Sequence, residues 1–359
     1  MTRVQAVLTR SDKGLIGVAA LLIAVAALTR YVDINSVLAF VVAGMAIALL
    51  ATLVGRSVDQ LGDRLGAGAT GVLQSALGNL PELFVCIFAL RAGLIEVVQA
   101  AVIGSILGNI LLVLGLAFLV GGLRHGTQQF NSERAHTINA MMLLAVAAML
   151  IPSLTHTLHT PAAAHEHALS DVAAVVLLIV FVCSVPASVR RSSEELDAGR
   201  EASNEGRWPV ALALAMLAIT GVLAAFVSDW FVHALQPAIQ TLHISETFAG
   251  LVIVAIAGNA VENVVGIQLA ARNQADYALS VILNSPLQIA LVLAPALVLL
   301  SYVVGGAAFT LVFPPALVAV VVASVIAVTF VIADGKSFWL EGAALLGLYV
   351  VIATSFWWG

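Results

Sequence analysis

The chain has 359 residues, 61% apolar and 10% charged, with a formal net charge of −5. Soluble domains carry about a quarter charged residues, so this composition excludes a water-covered surface and requires an exterior that faces lipid. It offers no basic patch for nucleic acid. Its two cysteines, Cys86 and Cys183, lie in separate apolar runs and make neither a disulfide framework nor a zinc site.

A bilayer core takes about 20 apolar residues per helix, and that window predicts an all-α membrane protein with about eleven transmembrane helices. The first runs from Gly14 to Leu28, behind Arg3, Arg10 and Lys13. Those charges, with the small residues Ala24-Val25-Ala26, imitate a signal peptide, but the apolar run exceeds the usual core of about 7–15 residues. The next five run from Ser36 to Val54, Gly68 to Leu90, Val97 to Val120, Thr137 to Ile151 and Val172 to Val189. After a hydrophilic stretch come Val210 to Trp230, Thr247 to Ala271, Tyr277 to Val304, Phe309 to Ala333 and Phe338 to Trp357.

The charges test this layout independently. With the N-terminus cytoplasmic, thirteen of the fifteen Lys and Arg residues fall on the inner side, leaving only Arg30 and Arg91 outside. That asymmetry fits the positive-inside rule, and a missed span would scramble it. The expected location is a bacterial-type inner (plasma) membrane, with the C-terminal Phe356-Trp357-Trp358 in the outer interface. The loop containing His156, His159, His165 and His167 is read as solvated rather than metal-binding.

Gly78-Asn79-Leu80-Pro81-Glu82 recurs 180 residues later as Gly258-Asn259-Ala260-Val261-Glu262, and Ser105 matches Ser285 at the same offset. The chain therefore contains two related halves. Residues 1–35 form an extra N-terminal span and 36–190 a first repeat. An acidic cytoplasmic linker occupies 191–207, and 208–359 form a second repeat. Each repeat has an odd number of spans, so the second is inverted in the membrane, as in many secondary transporters.

Of the 20 acidic residues, only Glu82 and Glu262 fall deep within apolar spans. A carboxylate there costs about 2.5–3.5 kcal/mol on insertion scales and is tolerated when protonated, paired or facing a water-filled cavity. No basic residue sits at matching depth. Asn79 and Asn259 precede the glutamates by three residues, on the same helical face. Gly78 with Pro81, and Gly258, loosen the helices and free backbone carbonyls. Ser105, Asn109, Asn284, Ser285 and Gln288 add neutral oxygens. Calcium takes 6–8 oxygen ligands in flexible geometry, a demand these residues together can meet; Cys86 is read as packing. Two adjacent carboxylates hold either a cation or protons, which is the exclusion an exchanger needs.

At these residues the sequence resembles the calcium/proton exchanger family of the calcium/cation antiporter superfamily. The likeness runs through Gly78 to Gly93, Leu94 to Val98, Gly104 to Gly115, Gln129-Phe130-Asn131, and Gly258 to Leu300. It implies a secondary active antiporter exchanging a cation, foremost Ca2+, for H+ by alternating access. Glu82 and Glu262 would be its principal ligands and proton carriers, and the second and seventh spans would move. No cofactor beyond the transported ions is implied, and no enzymatic activity. Three features depart from the family pattern: Asn263 replaces a His, Asn284-Ser285-Pro286 stands where Gly-Ser-Ser is usual, and Gly108 replaces a common Ser. Asn263 bears on the counter-ion and Asn284 on selectivity, including toward sodium. The alternative is Na+/Ca2+ or Na+/H+ exchange, and the Gly-Asn rather than Gly-Thr-Ser start of both motifs argues against the former. A channel is disfavoured because its filter rings come from several subunits. An intramembrane hydrolase lacks a His beside either glutamate.

Overall fold

The structure, a computed structural model, describes residues 8–32, 35–65, 77–197, 208–306 and 308–359. Within these, the side chains of 62–65, 186–197, 261 and 262 lie outside the description. So do the start of the predicted third span and linker residues 198–207.

The first helices are α1 (Arg10–Tyr31), α2 (Ser36–Leu65) and α3 (Leu80–Arg91). Helix α4 (Ile95–Leu107) passes through a π turn (Gly108–Val113) into α5 (Leu114–His125), followed by α6 (Ser132–Thr157) and α7 (Glu166–Asp197). In the second half, α8 spans Val210–Leu242. Helix α9 (Glu246–Phe248) continues through a second π turn (Ala249–Val254) into α10 (Ala255–Gly258), and α11 follows at Ala260–Ala271. Helix α12 (Ala275–Gln288) passes through a third π turn (Ile289–Leu293) into α13 (Ala294–Val304), and α14 (Pro315–Val331) and α15 (Trp339–Ser355) complete the chain. Two short strands, β1 (Gln128–Gln129) and β2 (Lys336–Ser337), pair antiparallel.

Among the described residues, seven continuous helices are long and apolar enough to cross a membrane. An eighth span is the bent pair Glu246–Gly258 and Asn263–Ala271, whose pieces diverge by 63°. With α3 and the shorter apolar α14 and α15, these are the segments read from the sequence. The protein is a multi-pass integral membrane protein.

One expectation is corrected. The tenth span does not begin at Phe309: residues 308–314 are non-helical, and α14 starts at Pro315. Gly305 and Gly306 adopt positive φ after α13, and the Pro314-Pro315 pair disfavours helix in the residue before it. Buried backbone still needs partners, and side chains supply them. Ser301 Oγ accepts from the Phe309 N–H, Ser170 Oγ from the Leu311 N–H, and Ser153 Oγ from the Phe313 N–H. Ser153 also donates to the Leu311 carbonyl, and Gln99 Nε2 to that of Val312.

The chain folds as two compact units, each drawing on both halves of the sequence. The first comprises Met1–Val85 and Val180–Thr241. Its α1 opens with a capping box, Thr9 Oγ1 accepting from the Asp12 N–H and Asp12 Oδ2 from the Thr9 N–H. The buried Asp12 also pairs with Arg56 of α2 at 2.6 Å. Trp208, ahead of α8, donates its backbone N–H to Gln60 of α2 and its indole N–H to Asp12. Deeper in this unit, Phe40 of α2 stacks on Phe231 of α8 at 4.8 Å.

The second unit comprises Cys86–Ile179 and Leu242–Gly359. Its centre is the crossing of α4 with the π turn after α9. A Cβ on Gly104 would run into the Leu251 backbone, and one on Gly250 into the Val97 carbonyl and Ala101. Two bare glycines thus let two backbones touch, as small residues do between membrane helices. Around the start of α7, His156 Nδ1 lies 3.2 Å and His167 Nε2 3.9 Å from Glu166. No cluster of three metal-ligating groups occurs among the described residues.

Candidate cation-binding site

Both Gly-Asn-x-x-Glu motifs open a new helix, and the second does so at a 63° bend within its span. Gly78 and Asn79 form a turn ahead of α3, and Asn259 adopts φ −98°, ψ 22° between α10 and α11. Each asparagine carbonyl then accepts the first helical bond of the new segment, from Leu83 and from Asn263. Pro81 stands in the first turn of α3, where its missing N–H costs nothing.

Glu82 and Glu262 are each the third residue of a new helix. Unpaired N–H groups and the helix dipole favour negative charge in a first turn. The Glu82 side chain is fully buried and Asn79 is 8% exposed, both in the first unit. Glu262 belongs to the second unit; its side chain lies outside the described residues.

In the second unit, four of the predicted ligands meet. Asn259 Nδ2 donates to Ser105 Oγ at 2.9 Å, and Asn259 Oδ1 accepts from Asn109 Nδ2 and Ser285 Oγ, each at 3.3 Å. Asn109 Nδ2 also lies 3.2 Å from Ser285 Oγ. All four residues are buried. The Gly104–Leu251 approach carries Ser105 to this point, and the π turn after α4 places Asn109 one turn further on. π turns recur at functional sites because they re-aim side chains.

The amide nitrogens are heavily committed, since Asn109 Nδ2 also reaches the Ser105 carbonyl and Asn259 Nδ2 the Ala255 carbonyl. One oxygen is the exception. Asn109 Oδ1 is buried with no hydrogen-bond partner among the described residues, a costly state for an acceptor unless a donor or cation is meant for it.

Asn284 and Gln288 form no hydrogen bond with this cluster among the described residues. Both are half-buried on α12, and Asn284 turns its amide to Ser280. Reading the sequence overlooked Ser280 and its partner Arg134; the four-residue spacing of Asp276, Ser280, Asn284 and Gln288 along α12 is the signal that marks them.

The sodium/calcium exchanger protein family model matches residues 35–189 and 212–358. The chain belongs to that family. Members of the exchanger family resemble it along nearly its whole length. A Ca(2+)/H(+) antiporter from Aphanothece halophytica is 34% identical over 352 residues, covering 94% of this chain and 94% of that protein. A vacuolar calcium ion transporter from Schizosaccharomyces pombe is 35% identical over 338 residues, covering 90% of this chain and 79% of that one. The solved structure of native YfkE superimposes with a TM-score of 0.80 at 31% identity, covering 96% of this chain and 98% of that one. The family's shared fold explains why the same model matches once in each half.

Proposed function

We propose that the chain is a secondary antiporter that exchanges Ca2+ for H+ across its membrane, with Glu82 and Glu262 holding either the cation or protons. The observation that carries this reading is the matched pair of helix starts, each placing a glutamate in the first turn behind a Gly-Asn pair. The neutral oxygens of Ser105, Asn109, Asn259 and Ser285 supply the rest of a hard, flexible site. The names of the full-length relatives support calcium as the cation and protons as the counter-ion. The reading calls for no resident cofactor.

Transport follows from competition. Protons neutralise the two carboxylates without a metal, and a divalent ion neutralises them without protons; an empty, doubly charged site resists burial. Only the two loaded forms then pass through the occluded state, which couples the fluxes. Helices α2 and α8, the second and seventh spans, belong to one compact unit and stack Phe40 on Phe231, which suits them to move together. The positive-inside asymmetry supports a cytoplasmic N-terminus and an outer C-terminus.

The test is reconstitution in vesicles containing a pH-sensitive dye. External calcium should alkalinise the lumen of proton-loaded vesicles, and the half-saturating calcium concentration should rise as external pH falls. Calcium uptake driven by a sodium gradient at clamped pH, without proton movement, would overturn the reading.

A further inference from the structure

Asn284 is bound in a way that fixes which end of its amide is on offer. Its Nδ2 lies 2.7 Å from the Ser280 carbonyl and 3.3 Å from Ser280 Oγ. A backbone carbonyl only accepts, so the nitrogen must face Ser280 and the oxygen must turn away. No described residue donates to Asn284 Oδ1, and the residue is half-buried, immediately before Ser285 of the polar cluster.

Ser280 is itself held. Arg134 Nη2 donates to Ser280 Oγ at 2.8 Å, leaving the hydroxyl to satisfy one cation and one amide. Arg134 sits in the first turn of α6, where its N–H is capped by Asn131 Oδ1. The Asn131 N–H in turn donates to Asp276 in the first turn of α12. The starts of α6 and α12 are thus locked at one level. A chain of bonds runs from there up α12, through Arg134 and Ser280, to Asn284, all within the second unit.

We propose that Arg134 and Ser280 are positioning residues that hold Asn284 with its carbonyl oxygen toward the transported ion, and so set the preference among cations. The inference rests on the reading of this region as a cation site. An amide presented oxygen-first favours a hard, oxygen-seeking ion. An amide free to rotate presents its N–H2 half the time and weakens that contact. The arginine contributes through the serine hydroxyl, without touching the ion.

The test compares Ser280→Ala, Arg134→Gln, Arg134→Lys and Asn284→Leu in reconstituted vesicles. Proton flux is followed against external calcium, manganese and sodium. Ser280→Ala and Arg134→Gln should each raise the half-saturating calcium concentration by about threefold to tenfold, the scale of one net hydrogen bond. Maximal rate should stay within about twofold. Arg134→Lys should recover part of the loss. Ser280→Ala added to Asn284→Leu should cost nothing beyond Asn284→Leu alone. Additive losses, a fall in maximal rate at unchanged half-saturation, or unchanged preference in Asn284→Leu would each overturn the relay. Glu82→Gln in the same assay separates the two levels. If it still exchanges, the site reading fails; if it is dead while the relay variants behave as wild type, only the relay fails.

Discussion

The stretches around Ser105 and Ser285 began as copies and have been wired differently. Their backbones still agree: each helix runs into a π turn at nearly the same point of the repeat, after Leu107 and after Gln288. Their side chains do not. In the first copy, Ser105 and Asn109 both face inward to Asn259 and Ser285. In the second, Ser285 joins that cluster while Asn284 is tied to Ser280 and Arg134. Repetition fixes where a helix bends, because bending is a backbone property shared by both copies. It does not fix ligand identity, which one substitution changes.

The largest expected effects test the symmetric part. Glu82→Gln and Glu262→Gln should each reduce calcium-driven proton flux by about 100-fold or more, since a full charge about 4 Å from a cation is worth about 4 kcal/mol at intermediate dielectric. Flux assays on purified, correctly folded variants decide it. If only one of the two is needed, the glutamates are not equivalent and the symmetry is one of fold alone. Next come the cluster amides. Asn259→Leu removes the acceptor of Asn109 and Ser285 and should cost about 1–3 kcal/mol of binding, or about fivefold to 150-fold in half-saturating calcium. Asn109→Leu should cost less, because only its unpartnered Oδ1 faces a ligand role. Equal losses would show that the two asparagines act as one unit.

Smaller effects are expected in the first unit, away from the cluster. Arg56→Gln leaves the buried Asp12 carboxylate without its cation and should lower stability by about 2 kcal/mol. Asp12→Asn removes the charge and keeps much of the cap, so it should cost less. Thermal unfolding in detergent measures both, and the reverse order would mean that the cap, not the ion pair, secures α1.

How much was legible in advance follows from the same division. The spans, the motif repeat and the bend at Gly258-Asn259 depend on apolar runs and on Gly-Asn, and these are visible in the sequence. The meeting of Ser105, Asn109, Asn259 and Ser285 was legible as a list of residue types but not as bonds. Their contact depends on how closely α4 crosses the π turn at Gly250. Residues 309–314 read as helix because buried apolar residues look alike in either conformation. The serines that satisfy their backbone lie on other helices, far along the chain. Arg134 was counted only as a cytoplasmic charge, since its partner is 146 residues away.

The finest test of the asymmetry is Gly108, where the family commonly has serine. The residue is helical, with φ −55° and ψ −46°, and a Cβ placed on it meets no atom within 4 Å. Glycine is therefore neither required by conformation nor by crowding. Gly108→Ser should restrict the unfolded chain and stabilise the protein by about 0.4–1 kcal/mol, a rise of a few degrees in the thermal midpoint. The added hydroxyl stands beside Asn109 in the first copy and leaves the Asn284 relay untouched. If half-saturating calcium then moves by more than about threefold (about 0.7 kcal/mol at the conversion of 1.4 per decade), the missing serine oxygen was a ligand position, and this half too has drifted from its family. A stability gain with unchanged calcium dependence would confine the functional divergence to α12.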